Sequence, residues 1–98
     1  MRLRVVVRDD ASRELLEARN FYESRRAGYG SAFADAIDRA FALIREFPLS
    51  GKARGKTRRL VLADWPYTLV YMLQDDAIIV IAVAHHSRRP GYWRRRLR

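Results

Sequence analysis

His85 and His86 are adjacent, and the residues after them hold Arg88, Arg89, Arg94, Arg95, Arg96 and Arg98, with Tyr92 and Trp93 among them and no acid. Three kinds of chemistry are open to such a segment. An imidazole titrates near neutral pH and can give or take a proton. A guanidinium holds a carboxylate or a phosphate through two parallel hydrogen bonds and stacks on aromatic rings. An aromatic pair among cations either presents a binding face or anchors the segment on the body of the protein. A metal site is not expected. Neighbouring strand residues point to opposite faces, so one histidine is packed or hydrogen-bonded and the other accessible. No third ligand is evident, and there is no cysteine for a thiolate site or a disulfide.

The arginines alone would suit a solvated tail. Solubility does not require Pro90, Tyr92 and Trp93 between them, so a target-binding surface of Arg88, Arg89, Tyr92, Trp93, Arg94, Arg95 and Arg96 is expected. Arg59 stands beside Arg58 on a strand, so the two face opposite sides, and Arg59 either pairs with an acid or joins such a surface. Lys52, Arg54 and Lys56 share a stretch with Gly51 and Gly55. No strand precedes it and no GK[ST] pattern is present, so it reads as a solvated loop rather than a phosphate cradle.

Charge follows the same division. Of the 98 residues, 1–46 carry nine basic and eight acidic side chains, a net of +1, and 47–98 carry eleven and three, a net of +8, matching the total of +9. The first part is a balanced scaffold and the second a cationic surface, which implies an acidic partner. A hydrophobic fraction of 49% suits one packed domain and argues against disorder. The longest apolar run, Ala77–Ala84, is far too short to span a bilayer, and the first residues lack the pattern of a signal peptide. Absence of cysteine is compatible with a reducing cytoplasm.

The elements that position these residues can be read from periodicity. Leu3, Val5 and Val7 alternate with Arg2, Arg4, Val6 and Arg8 as in a short strand. Asp9-Asp10 sits where an N-cap belongs, and Ala11, Leu15, Ala18 and Tyr22 recur at helical spacing as far as Arg26. Ala27–Gly30 breaks this helix. Ser31 is placed to cap a second, with an apolar core stripe of Phe33, Ile37, Ala40, Ile44 and Phe47 that Pro48 ends. Leu49–Thr57 reads as a polar loop and Arg58–Ala63 as a strand. Asp64-Trp65-Pro66 marks a turn and Tyr67–Leu73 alternates as a strand, with Tyr67 and Tyr71 on one side. Gln74-Asp75-Asp76 is a hairpin turn, and Ala77–Ala84, apolar on both faces, suits a central strand. The segment after Pro90 forms helical turns or extends a strand. The order β-α-α-β-β-β gives an α+β fold of two layers, a helical hairpin packed on a small, mainly antiparallel sheet with a short C-terminal tail. The first strand joins an edge of that sheet.

In this order the chain resembles the RelE/ParE superfamily, the toxin half of type II toxin–antitoxin pairs. The anchors are Pro48, Arg59-Leu60, Trp65-Pro66-Tyr67, Val70-Tyr71 and Asp75-Asp76. The most specific is Val83-Ala84-His85 followed by Arg88-Arg89-Pro90-Gly91-Tyr92-Trp93, which is similar to the C-terminal signature of ParE-like members. The resemblance implies a single toxin domain over residues 1–98, cytoplasmic, without cofactor, in a hetero-oligomeric complex with a cognate antitoxin whose toxin-binding segment is acidic. It also implies one of two targets. RelE-like members are ribosome-dependent mRNA endonucleases, which need a base for the 2′-OH, an acid for the leaving oxygen and cations on the phosphorane. Carried onto this chain, that set would be Arg59, His85 or His86, and Tyr92, while the third-strand arginine of that branch falls on Thr68. ParE-like members inhibit DNA gyrase by binding and are not enzymes. Thr68 and the Arg-Arg-Pro-Gly-Tyr-Trp string align this chain with the ParE-like branch, with the mRNA endonuclease as the alternative.

Overall fold

The structure is a computed structural model that describes residues 3–97, so Met1, Arg2 and Arg98 lie outside the described residues. Strand β1 (Arg4–Val7) leads into helix α1 (Asp9–Arg25), a three-residue turn and helix α2 (Tyr29–Glu46). Strands β2 (Lys52–Arg54), β3 (Thr57–Val61), β4 (Tyr67–Gln74) and β5 (Ala77–His85) follow, and a 3-10 turn (Arg94–Leu97) closes the described chain. The five strands form one open sheet in the order β1-β5-β4-β3-β2. β1 pairs parallel to β5, from Arg4 opposite Ala77 to Val7 opposite Val80, and the other pairings are antiparallel. The expected two-layer α+β architecture, with its helical hairpin and edge-bound first strand, is what the chain adopts.

The sheet holds one more strand than the periodicity indicates. Lys52–Arg54 was expected to be loop but pairs with Arg59–Thr57 through a tight turn in which Gly55 adopts φ +60° and the Thr57 hydroxyl donates to the Arg54 carbonyl (2.9 Å). All three β2 residues are exposed at the sheet edge, so no apolar alternation marks them. The helix starts also differ. Asp9 and Asp10 lie in the first turn of α1 behind an extended Arg8 and cap nothing, although their charges favour the helix N-terminus. α2 begins at Tyr29, two residues before Ser31, because Glu23 reaches across the turn and accepts from the Gly28 and Gly30 amides (3.0 Å each). Phe47, expected in the core, is 57% exposed, since the helix ends at Glu46 and the stripe loses its phase.

The helices cover one face of the sheet. Phe33, Ile37, Ala40 and Ile44 of α2 and Ala11 and Ala18 of α1 are buried with Leu69, Tyr71, Ile78, Val80 and Val83. At one end Tyr22, Phe33, Trp65 and Tyr67 form an aromatic cluster of mostly edge-to-face contacts, with centroids 4.9–6.3 Å apart. Among the described residues no α-helix covers the other face. There Val70, Ile81 and Ala82 are buried beneath Trp93 of the tail. Where β4 meets β5 the register slips: Tyr71 faces Val80 but Val70 faces Ala82, leaving Ile81 as an extra residue. Ile81 and Ala82 consequently both belong to the tail-side cluster, and Val83 returns to the helix side. Such a bulge re-aims every side chain beyond it. It is what sends His85 to the helix face and His86 to the tail face.

Candidate target-binding surface on the tail side of the sheet

The tail is built from tight turns. The amides of Arg88, Tyr92, Arg94 and Arg96 donate to the carbonyls of His85, Arg89, Gly91 and Trp93, and the His86 amide donates to Pro66. Gly91, at φ +75°, permits the reversal that lays Trp93 on the sheet. Trp93 is 4% exposed, so of its two expected roles it takes the anchoring one. Guanidinium groups cover both aromatic residues. Arg59 lies 5.1 Å and Arg94 5.9 Å from the Trp93 centroid, and Arg88 lies 3.8 Å and Arg96 5.2 Å from that of Tyr92.

One residue that sequence reasoning did not single out holds the tail in place. Glu14 of α1 accepts from the Val83 amide (3.0 Å), from both terminal nitrogens of Arg96 (3.0 Å each) and from the Tyr92 hydroxyl. Arg96 also donates to the Ile81 carbonyl (3.1 Å) and lies 3.6 Å from Asp10. Carboxylate and guanidinium are only 13% and 16% exposed. Their bidentate geometry and shared donors satisfy both charges away from water. Burial, and then the hydrogen bond to Glu14, raise the Tyr92 phenol well above the usual tyrosine range. The signal for Glu14 was present: it occupies the stripe of Ala11, Leu15 and Ala18, where an unpartnered acid would be costly.

A groove of about 270 Å³ beside the tail brings most of the expected site together. Arg59, His85, His86, Arg88, Arg89 and Tyr92 line it, with Trp93 beneath. Arg94 lines an adjoining groove, Arg95 is exposed outside both, and Arg96 is turned into the Glu14 pair. Within the groove the histidines differ. His85 rests edge-on against Tyr67 (5.0 Å), and its Nδ1 accepts from the Ser87 amide (2.9 Å). His86 is exposed, with Nε2 3.0 Å from the Thr68 hydroxyl. Arg59 sits among cations. Burial, then Arg54 and Arg94, lower its guanidinium below the ordinary arginine range, and its Nε is buried with no hydrogen-bond partner among the described residues.

A larger groove, about 360 Å³, lies on the helix side between α2 and β3. It is lined by Leu43, Leu60, Val61, Leu62 and Trp65 with Arg39 at its edge, and Leu43 and Val61 are 41% and 64% exposed. Its lining suits an apolar partner rather than chemistry. Among the described residues no helix is long and apolar enough to cross a membrane.

Comparison with known proteins agrees with the fold. No curated protein matches the chain. Among solved structures, one described as the chromosomal ParDE TA system from P. aeruginosa is similar in fold, with a TM-score of 0.62 and 11% identity over 85% of this chain and 95% of that one. A family model described as the ParE toxin of type II toxin-antitoxin system, parDE, matches residues 5–90. With residues from Val5 in β1 to Pro90 inside that match, the chain belongs to the ParE toxin family of type II toxin–antitoxin systems.

Proposed function

We propose that this protein is a toxin that inhibits DNA gyrase by binding it, without chemistry of its own, and that a cognate antitoxin neutralises it. Family membership supports the toxin reading. The observation that carries inhibitor over nuclease is the Tyr92 hydroxyl. It is given to Glu14, and the phenol is raised away from neutral pH, so it is a poor proton carrier for phosphodiester cleavage. Thr68 stands where a nuclease of the related branch carries a cation, and it engages His86. On this reading Arg88, Arg89, Arg94 and Arg95 contact the target, while Tyr92, Trp93 and Arg96 hold the tail in shape. The antitoxin is a segment that buries apolar side chains in the α2–β3 groove and sets its acids on neighbouring arginines.

The test is gyrase supercoiling with purified toxin, with and without antitoxin. Dose-dependent loss of supercoiling, relieved by antitoxin, is expected. Undiminished supercoiling at saturating toxin, together with cut mRNA on ribosomes, would establish the second reading. One observation favours that alternative: Arg59, His85, His86 and Tyr92 all border one groove. It requires that replacing Tyr92 and His86 abolish growth arrest in a folded protein.

A further inference from the structure

The groove beside the tail does not end at Arg59. A second groove of about 210 Å³, lined by Arg54, Lys56, Arg59 and Arg94, shares Arg59 and Trp93 with it. The two form one continuous track on the face of the sheet that the helices leave open. No carboxylate lines either groove among the described residues, whereas both helix-side grooves include acids. Several arginines elsewhere have acidic partners: Arg4 with Asp76, Arg13 with Asp10, and Arg96 with Glu14. Arg54, Lys56, Arg88, Arg89 and Arg94 are exposed along the track, and at its centre Arg59 carries a buried N–H without an acceptor. Gathering like charges is unfavourable for the protein alone, and an anion seated on the track relieves that repulsion.

We infer that this track binds the phosphodiester backbone of duplex DNA. An acidic protein segment is the poorer fit. Of the track's apolar residues, Val70 and Trp93 are buried, Ala84 and Leu97 are half-buried and Pro90 is exposed, whereas the exposed Leu43 lies in the α2–β3 groove instead. A single strand is also the poorer fit. Strand binders stack bases on bare aromatic faces, and here arginines cover the rings of Tyr92 and Trp93. Guanidinium and ammonium groups along an open groove, with no base-reading platform, suit a duplex backbone held without regard to sequence. The inference goes beyond gyrase inhibition, because it gives the toxin a direct hold on nucleic acid whichever enzyme is present.

The experiment is fluorescence anisotropy with the purified chain and a short labelled DNA duplex over a salt series. Binding in roughly the 1–100 µM range near physiological salt is expected, as for non-specific association. The pair Arg54→Glu with Arg89→Glu should weaken it at least tenfold and make the slope of log K against log salt shallower by about two. Both residues are exposed, and a thermal melt checks that the fold survives. The neutral pair Arg54→Gln with Arg89→Gln should fall in between. Arg39→Glu with Arg45→Glu, the same charge change on α2, should leave the slope unchanged. The proposal is overturned if the α2 pair weakens binding equally, if polyglutamate competes as well as unlabelled duplex, or if single-stranded RNA of equal length binds more tightly. Failure here leaves gyrase inhibition standing, since supercoiling assays read that independently.

Discussion

Glu14 and its partners show how much of the binding surface rests on one carboxylate. Its two oxygens accept from a strand amide, a phenol and both terminal nitrogens of a guanidinium, so α1, β5 and the tail meet at a single side chain. Breaking such a pair leaves a charge at Arg96 that is largely out of water. Glu14→Gln should therefore cost roughly 2–4 kcal/mol, read as a lower urea midpoint at unchanged slope. Tyr92→Phe removes one donor to that carboxylate and leaves its other donors in place, and should cost about 1.5–3 kcal/mol. A Tyr92→Phe protein that is equally stable but no longer arrests growth would transfer Tyr92 from scaffold to chemistry. Alkaline pH offers a second check. Burial, with the Glu14 hydrogen bond for Tyr92 and Tyr22 for Tyr67, raises both phenols above the ordinary 10.0. A raised folded-state pKa means that the folded protein holds the proton longer than the unfolded chain. This contribution is complete below pH 10 and is lost as pH rises beyond it. The denaturation midpoint should fall as pH rises from about 10 to about 12, and less steeply in Tyr92→Phe. An equal fall in the variant would show that Tyr92 adds nothing to the linkage.

Among the elements, the helical hairpin depends on Glu23 and Gly30. A Cβ on Gly30 would stand 2.6 Å from the Arg19 carbonyl and 2.8 Å from the Glu23 Cβ, so only glycine lets α2 start this close to α1. The Gly28 and Gly30 amides, first among the causes, hold the Glu23 carboxyl below its usual 4.5. A lowered pKa contributes stability at neutral pH that is lost as pH falls through the folded value. Glu23→Gln should thus lower Tm at pH 7, and the difference from the parent should vanish in acid. A gap that persists at low pH would mean that the side chain acts by packing instead of charge. The hairpin also marks how far the sequence can be read. Its apolar stripe from Phe33 to Ile44 is legible because burial imposes a period of 3.6, and β4 and β5 are legible because one face or both are buried. The cap was not legible, because Glu23 acts from the preceding helix and displaces the local candidate Ser31. β2 was not, because an exposed edge strand needs no apolar pattern. The bulge at Ile81 lies inside a uniformly apolar run, so no change of residue type betrays the shift that assigns His85 and His86 their faces.

At the scale of the whole molecule, the sheet is an asymmetric wall. Helices cover one face and a tail of a few residues covers part of the other, where the cations of the second half of the chain collect. Two opposing electrostatic effects then decide how stability responds to salt. Attraction comes from a few ion pairs. Arg4–Asp76 and Arg13–Asp10 are exposed and contribute little. Arg96–Glu14 is mostly shielded from solvent and is weakly screened. Repulsion comes from a net charge of +9 on 98 residues, with Arg54, Lys56, Arg59 and Arg94 around one groove. These exposed groups are screened once the Debye length falls to about 10 Å near 0.1 M salt. Repulsion should therefore be the effect that salt removes. Tm should rise as sodium chloride increases from about 20 mM to about 200 mM, by about 4–8 °C if the relief is near 1 kcal/mol. Reversing Arg54 and Arg89 to glutamate should raise Tm at low salt and flatten this dependence. A Tm that falls with salt would mean that the ion pairs outweigh the crowded cations, and the open face would then lack the excess of positive charge that makes it a surface for anions.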